Sequence, residues 1–251
     1  MLDQILDSSL SLSLKTPLIL LVLVALEAVL SADNAVALAA IAQGLEGTKL
    51  QRDALNIGLV VAYVLRIILI LTATWVIKYW QFELIGAIYL LWLVFNYFTS
   101  KNDEDQKDDT SGHHHLKFTS LWQAIPMIAF TDLAFSLDSV TTSIAVADDL
   151  LLIIIGGTIG VITLRFLAGW FIRWLDEYVY LEDAGFITVG LVGFRLFLKV
   201  FDDNLAPPEW LMITVIALLF AWGFSKRRPF EPSTQESFSV EETNKEKSMI
   251  D

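Results

Sequence analysis

The sequence has no cysteine, so it can form no disulfide and offers no thiolate to a metal or a nucleophilic mechanism. Its three histidines, His113, His114 and His115, stand side by side in one hydrophilic stretch, and none falls in an apolar run. No HExxH pattern occurs, which removes the usual signature of a membrane metalloprotease; no enzymatic activity is expected. Charge is scarce too: Asp, Glu, Lys and Arg make up 18% of the 251 residues, against 55% apolar residues. A chain so poor in charge is too oily for a water-soluble fold of this length. The net charge of -12 comes largely from the Asp103–Asp109 stretch and the C-terminal tail, so it says little about mechanism; no nucleic-acid partner is expected.

What is present in abundance is long apolar runs. Seven are readable, at about Leu18–Ala42, Ala54–Ile77, Phe82–Phe98, Leu121–Ala147, Leu150–Trp174, Ala184–Val200 and Pro208–Phe224. Most reach the roughly 20 residues a helix needs to cross a ~30 Å hydrocarbon layer, and they show little of the polar face a soluble helix would carry. The expected fold is therefore all-α and polytopic, with the lipid bilayer as solvent. The N-terminal 13 residues lack the basic region of a cleavable signal, so the first span is expected to be retained.

Lys49, Arg52, Lys101, Lys107, Lys117, Arg173, Lys226, Arg227 and Arg228 fall on one side of this layout, while Lys15, Lys78 and Lys199 fall on the other. The positive-inside rule then places the N-terminus outside and the C-terminus in the cytoplasm. Trp75, Trp80, Trp122, Trp174, Trp210 and Trp222 lie near span ends, as interfacial tryptophans do.

The chain also repeats itself. Glu27-Ala-Val-Leu-Ser31-Ala-Asp33-Asn34 in the first span is matched by Asp132-Leu-Ala-Phe-Ser136-Leu-Asp138-Ser139 in the fourth. Gly58 precedes Arg66 by eight residues, as Gly157 precedes Arg165; Gly86 corresponds to Gly185, and Asn96 falls opposite Arg195. Agreement in order across three consecutive spans implies duplication. A unit with an odd number of spans must enter the membrane the second time from the opposite side, so the two copies are inverted, an architecture in which secondary transporters place their substrate at the midplane. The expected organisation is a first three-helix repeat over 1–100, an acidic and His-bearing cytoplasmic loop over 101–118, a second repeat over 119–201, a seventh helix over 202–225 and a disordered tail over 226–251.

Four carboxylates, Glu27, Asp33, Asp132 and Asp138, would lie at bilayer depth, where each costs on the order of 3 kcal/mol or more unless compensated. Arg66, Arg165 and Arg195 are the fixed cations available. On a regular helix Glu27, Ser31 and Asn34 share a stripe and Asp33 points about 100° away from Asn34; the second motif repeats this. Either the helices unwind near Ser31 and Ser136 and bring both acids to one site, or the second acid faces another neighbour. The donors are carboxylate, amide and hydroxyl oxygens from Glu27, Asp33, Asn34, Asp132 and Asp138, with Ser31, Ser136 and Ser139. This set favours a hard divalent cation, Mg²⁺, Ca²⁺ or Mn²⁺. Exchange of the metal for protons on these carboxylates is compatible with the pattern.

The motif EAVLSADNAVAL, with its partner FTDLAFSLDSV, resembles the TerC family of integral membrane proteins over nearly the whole chain. The resemblance implies a lysine-exporter-like fold and, as many members do, export of Mn²⁺ from the cytoplasm. It carries the family's intramembrane acids onto Glu27, Asp33, Asp132 and Asp138. Ca²⁺ transport, and a non-transporting role in membrane-protein biogenesis, are alternatives the family also implies, as are a plasma or a thylakoid membrane. Ser139, where the first repeat has Asn34, makes the two half-sites chemically unequal. No resident cofactor is expected.

Overall fold

The computed structural model describes residues 17–25, 27, 34–104, 118, 120–147, 149–202 and 205–228. Among these the chain forms helices and no strand: α1 (17–25, with Glu27 also helical), α2 (Asn34–Gln43), α3 (Thr48–Val76), α4 (Trp80–Glu104), α5 (Leu121–Val146), α6 (Leu150–Glu177), α7 (Leu181–Phe201) and α8 (Glu209–Gly223). Five of them, α3 to α7, are long and apolar enough to cross a membrane. They coincide with the second to sixth apolar runs. The seventh run yields only the 15-residue α8, roughly 22 Å long, which is short of a full hydrocarbon crossing. Ser31 and Asp33, the His113–His115 run and the tail beyond Arg228 lie outside the described residues.

Local chemistry explains where the helices start. Ser120 caps α5 by accepting from the Trp122 amide at 3.2 Å, and Asp149 caps α6 by accepting from the Leu151 amide at 2.9 Å. Glu182 and Asp183 in the first turn of α7, with Lys199 in its last, complement the helix dipole. Between α2 and α3 the chain turns at Gly47, whose φ of 100° suits glycine and strains any other residue. α4 runs on to Glu104, so the segment expected to be loop from residue 101 begins as helix.

The packing is inside out relative to a soluble protein. Large apolar side chains such as Val60, Phe95, Phe130 and Phe166 are more than half exposed, an outer surface that only lipid would cover favourably. Trp75, Trp80, Trp122 and Trp210 are also more than half exposed, at helix ends. The centre is held by α2, whose ten residues are all buried and half of them alanine, small enough for neighbouring backbones to come close.

Glycines mark the tightest crossings. A Cβ on Gly58 of α3 would lie 2.7 Å from Ile128 of α5, and one on Gly86 of α4 would lie 2.8 Å from Leu137 of α5. Across the molecule Gly156 of α6 faces Leu23 of α1, and Gly185 of α7 lies directly against Val36 of α2. The second and third helices of each three-helix block thus clasp the first helix of the other block. α4 and α7 pair along their length, with Tyr97 stacked on Phe186 and its hydroxyl donating to Asp183 at 2.9 Å.

Candidate functional site

α5 is helical without a break from Leu121 to Val146, so the unwinding considered around Ser136 does not occur there. The hydroxyls are satisfied within the helix itself: Ser136 donates to the Asp132 carbonyl at 2.7 Å, and Thr142 donates to that of Asp138 at 3.0 Å. On an intact helix Asp132 and Asp138 are six residues apart, about 9 Å along the axis and about 120° around it. They therefore reach different neighbours.

Asp132 faces α1 and α3. There the Arg66 guanidinium donates through Nη1 to Glu27 Oε1, while its Nη2 lies 3.5 Å from Asp132 Oδ1. The cluster is dry: Arg66 is 2% exposed, Asp132 0% and Glu27 6%. Space for it comes from α6, where a Cβ on Gly160 would collide with the Glu27 side chain and one on Gly157 would lie 3.8 Å from Arg66 Cδ. Arg66 Nε has no hydrogen-bond partner among the described residues. Two carboxylates share one guanidinium, so the group carries a formal charge of -1 if all three are ionised. Asn34, at the start of α2, is buried as well.

Asp138 faces α4 and α7 instead. Arg195 donates to its Oδ2, and Lys199 Nζ lies 3.1 Å from its Oδ1 and 3.7 Å from Glu83 Oε1. Two acids meet two bases here, and the side chains of Lys199 and Glu83 keep about a fifth of their surface exposed. Sequence reading missed both. Lys199 counted as a loop charge, yet it lies inside α7. Glu83 had a signal in the repeat, since it stands three residues before Gly86 as Glu182 stands three before Gly185.

The remaining expected residues divide. Arg195 serves the Asp138 cluster. Arg165, expected to neutralise the carboxylates, points elsewhere: its Nε donates to Asn56 Oδ1 in a groove between α3 and α6. Ser139 donates only weakly, at 3.4 Å, to the Ser136 carbonyl. Among the described residues no three His, Asp or Glu side chains converge in an arrangement that could hold a metal by themselves, with Asp33 outside that set.

Comparison with known proteins points one way. Residues 13–229 match the family model described as "Integral membrane protein TerC family". The chain is 32% identical over 197 residues to the "Uncharacterized membrane protein YceF" of Bacillus subtilis, covering 78% of this chain and 76% of that one. It is 34% identical over 194 residues to "Uncharacterized membrane protein YkoY" of the same organism, covering 71% of this chain and 59% of the relative. With the "Thylakoid membrane protein TERC, chloroplastic" of Arabidopsis thaliana it shares 24% identity over 192 residues, 67% of this chain and half of that protein. No solved structure matches.

Proposed function

The chain belongs to the TerC family of integral membrane proteins, and on that premise we propose that it is a secondary transporter exporting a divalent metal cation, with Mn²⁺ as the favoured substrate. The reading rests above all on one observation: Glu27 from the first block and Asp132 from the second meet deep among the helices on a single buried Arg66. Buried ion pairs contribute little to stability for their desolvation, and intramembrane ionisable groups mark ion paths by default.

In this mechanism Arg66 is the resident counter-cation. It keeps two carboxylates tolerable while the site is empty and swings off Glu27 when a metal ion arrives. Glu27 and Asp132 then provide hard oxygen ligands, joined by Asp33 and Asn34 from the first block. Departure of the metal on the other side returns the guanidinium, or protons, to the carboxylates, which is where coupling to inward proton flow would enter. Because the two ligands belong to different three-helix blocks, rocking one block against the other opens the site to alternate sides. Asp138 is not a ligand to the same ion in this scheme. Its pairing with Arg195 and Lys199 ties α5 to α7 inside the second block, and the reach of Lys199 to Glu83 of α4 joins that cluster to the first block, as a lock would.

Proteoliposomes loaded with Mn²⁺ test the proposal. Wild-type protein releases the metal down an opposing proton gradient, and Asp132→Asn lowers the rate about tenfold or more. Unchanged flux in that variant removes the assignment. A second reading, that the chain is a non-transporting assembly factor, is favoured by the observation that Glu27, Asp132 and Asp138 all have cationic partners. It predicts no Mn²⁺-dependent gain in thermal stability of the purified protein, whereas a transporter is stabilised by its ligand.

A further inference from the structure

The groove that holds Arg165 is separate from the carboxylates and opens on the outer, lipid-facing side of α3 and α6. Its volume is about 360 Å³. The walls are mostly apolar, with Val60, Ile162 and Phe166 exposed along it, and one polar cross-link, Tyr63 to Thr158 at 2.9 Å, lies at the far end. At the near end stands a guanidinium whose partner among the described residues is an amide, Asn56, rather than a carboxylate. A charge in such a place needs an anion, and the described residues lining the groove include no acid.

Depth and direction identify the class of anion. α3 and α6 are about 43 and 42 Å long, so they overshoot a ~30 Å hydrocarbon layer. Asn56 lies about 12 Å from the start of α3, and Arg165 about 18 Å from the end of α6, which places the pair roughly 6 to 12 Å inside the hydrocarbon boundary. The guanidinium heads out of it. Nη1 lies 3.2 Å from where a Cβ on Gly169 would be, one turn nearer the α6 terminus, so the side chain snorkels toward that membrane surface along a path the glycine leaves clear.

The same surface is basic along both helix faces. Arg52 and Lys49 lie one and two turns beyond Asn56 on its stripe of α3, and Arg173 lies two turns beyond Arg165 on α6; all three are exposed. Of the acids at this level, Asp176 accepts from Gln43 at 2.9 Å and Glu177 pairs with Arg227, leaving Asp53 beside the stripe and Glu46 at the turn before α3, against the cations Lys49, Arg52, Arg165 and Arg173. A rising ladder of cations beside an apolar trough has the complementary shape of a lipid with a charged headgroup.

We propose that the α3/α6 groove is a binding site for an anionic phospholipid, whose phosphate is held by Arg165 and Asn56 and whose acyl chain lies along Val60, Ile162 and Phe166. Neither the metal nor the Arg66 cluster takes part, so this site stands or falls apart from the transport proposal.

The absence of cysteine gives a clean experiment. Ile162→Cys, at an exposed groove position, takes a single fluorophore, and the full-length labelled protein is reconstituted in phosphatidylcholine vesicles containing a small fraction of lipid with a quencher on its acyl chain. Quencher carried by phosphatidylglycerol acts at about threefold lower mole fraction than quencher carried by phosphatidylcholine. Arg165→Gln in the same background brings the ratio to about one, and Arg165→Lys, which keeps the charge if the glutamine variant does not fold, retains a preference. Equal quenching by the two lipids in the parent, or an undiminished preference in Arg165→Gln, overturns the proposal. So does a disulfide that joins two copies of the unlabelled Ile162→Cys variant in the membrane, which would make the groove a dimer contact. Quenching relieved by inorganic phosphate alone overturns it too, as the site would then take the free anion.

Discussion

The two faces of α5 carry charge in opposite ways. On one, Arg66 answers both Glu27 and Asp132 in a space closed to solvent, and the formal sum is odd. On the other, Asp138 and Glu83 face Arg195 and Lys199, the sum is even, and the outer members are partly exposed. A balanced, partly wet cluster can be structural at modest cost. An unbalanced, dry one retains an appetite for a further cation, and in the proposed mechanism substrate binding therefore falls to Glu27 and Asp132 and locking to the Asp138 cluster.

Substitutions should separate the two faces, beginning with the largest effect. Arg66→Met leaves two buried carboxylates without a counter-charge and should cost about 3–5 kcal/mol in thermal or denaturant unfolding. Added Mn²⁺ should recover part of that loss, because the metal replaces the missing positive charge. Failure of Mn²⁺ to raise the melting temperature of this variant more than that of wild type would break the comparison. Gly160→Ala should cost about 1–3 kcal/mol by forcing Glu27 off its position, and should weaken Mn²⁺ binding while leaving the Asp138 cluster alone.

On the other face, Lys199→Gln should cost about 1 kcal/mol or less, since Arg195 still serves Asp138 and the side chain is partly exposed. Its signature should be kinetic: changed Mn²⁺ flux at unchanged binding. A loss of Mn²⁺ affinity in Lys199→Gln as great as in Gly160→Ala would merge the two clusters into one site. The smallest effect concerns neither face. Gly47→Ala strains a positive φ and should lower stability by about 1 kcal/mol without altering transport.

Much of the fold was legible because lipid imposes a length and a polarity on every crossing. α3 to α7 lie where the apolar runs are, and the glycines singled out by the repeat, Gly58, Gly86 and Gly185, are sites of close helix approach. What sequence could not supply was the choice of partner. Arg66 and Arg165 hold equivalent repeat positions, yet one is buried between two acids and the other lies beside Asn56 in the outer groove. A single central site has room for one guanidinium, and spacing along each helix does not say which block provides it. Lys199 was missed for a related reason: near a span end it looks like a loop charge until the neighbouring helix, with Asp138 on it, is in place. The pairing of Asp132 and Asp138 with different helices followed from an unbroken α5, a property of hydrogen bonding that the Ser136 and Ser139 pattern left open.

Free Mn²⁺ gives a six-line electron paramagnetic resonance signal that is lost on binding, so titration of the purified protein counts bound metal directly. Wild-type protein should remove about one Mn²⁺ per chain, and Glu27→Gln with Asp132→Asn should weaken that binding about a hundredfold, two ligand charges having been removed. Equal loss of signal in wild type and in the double variant would contradict the assignment of these two carboxylates to the metal.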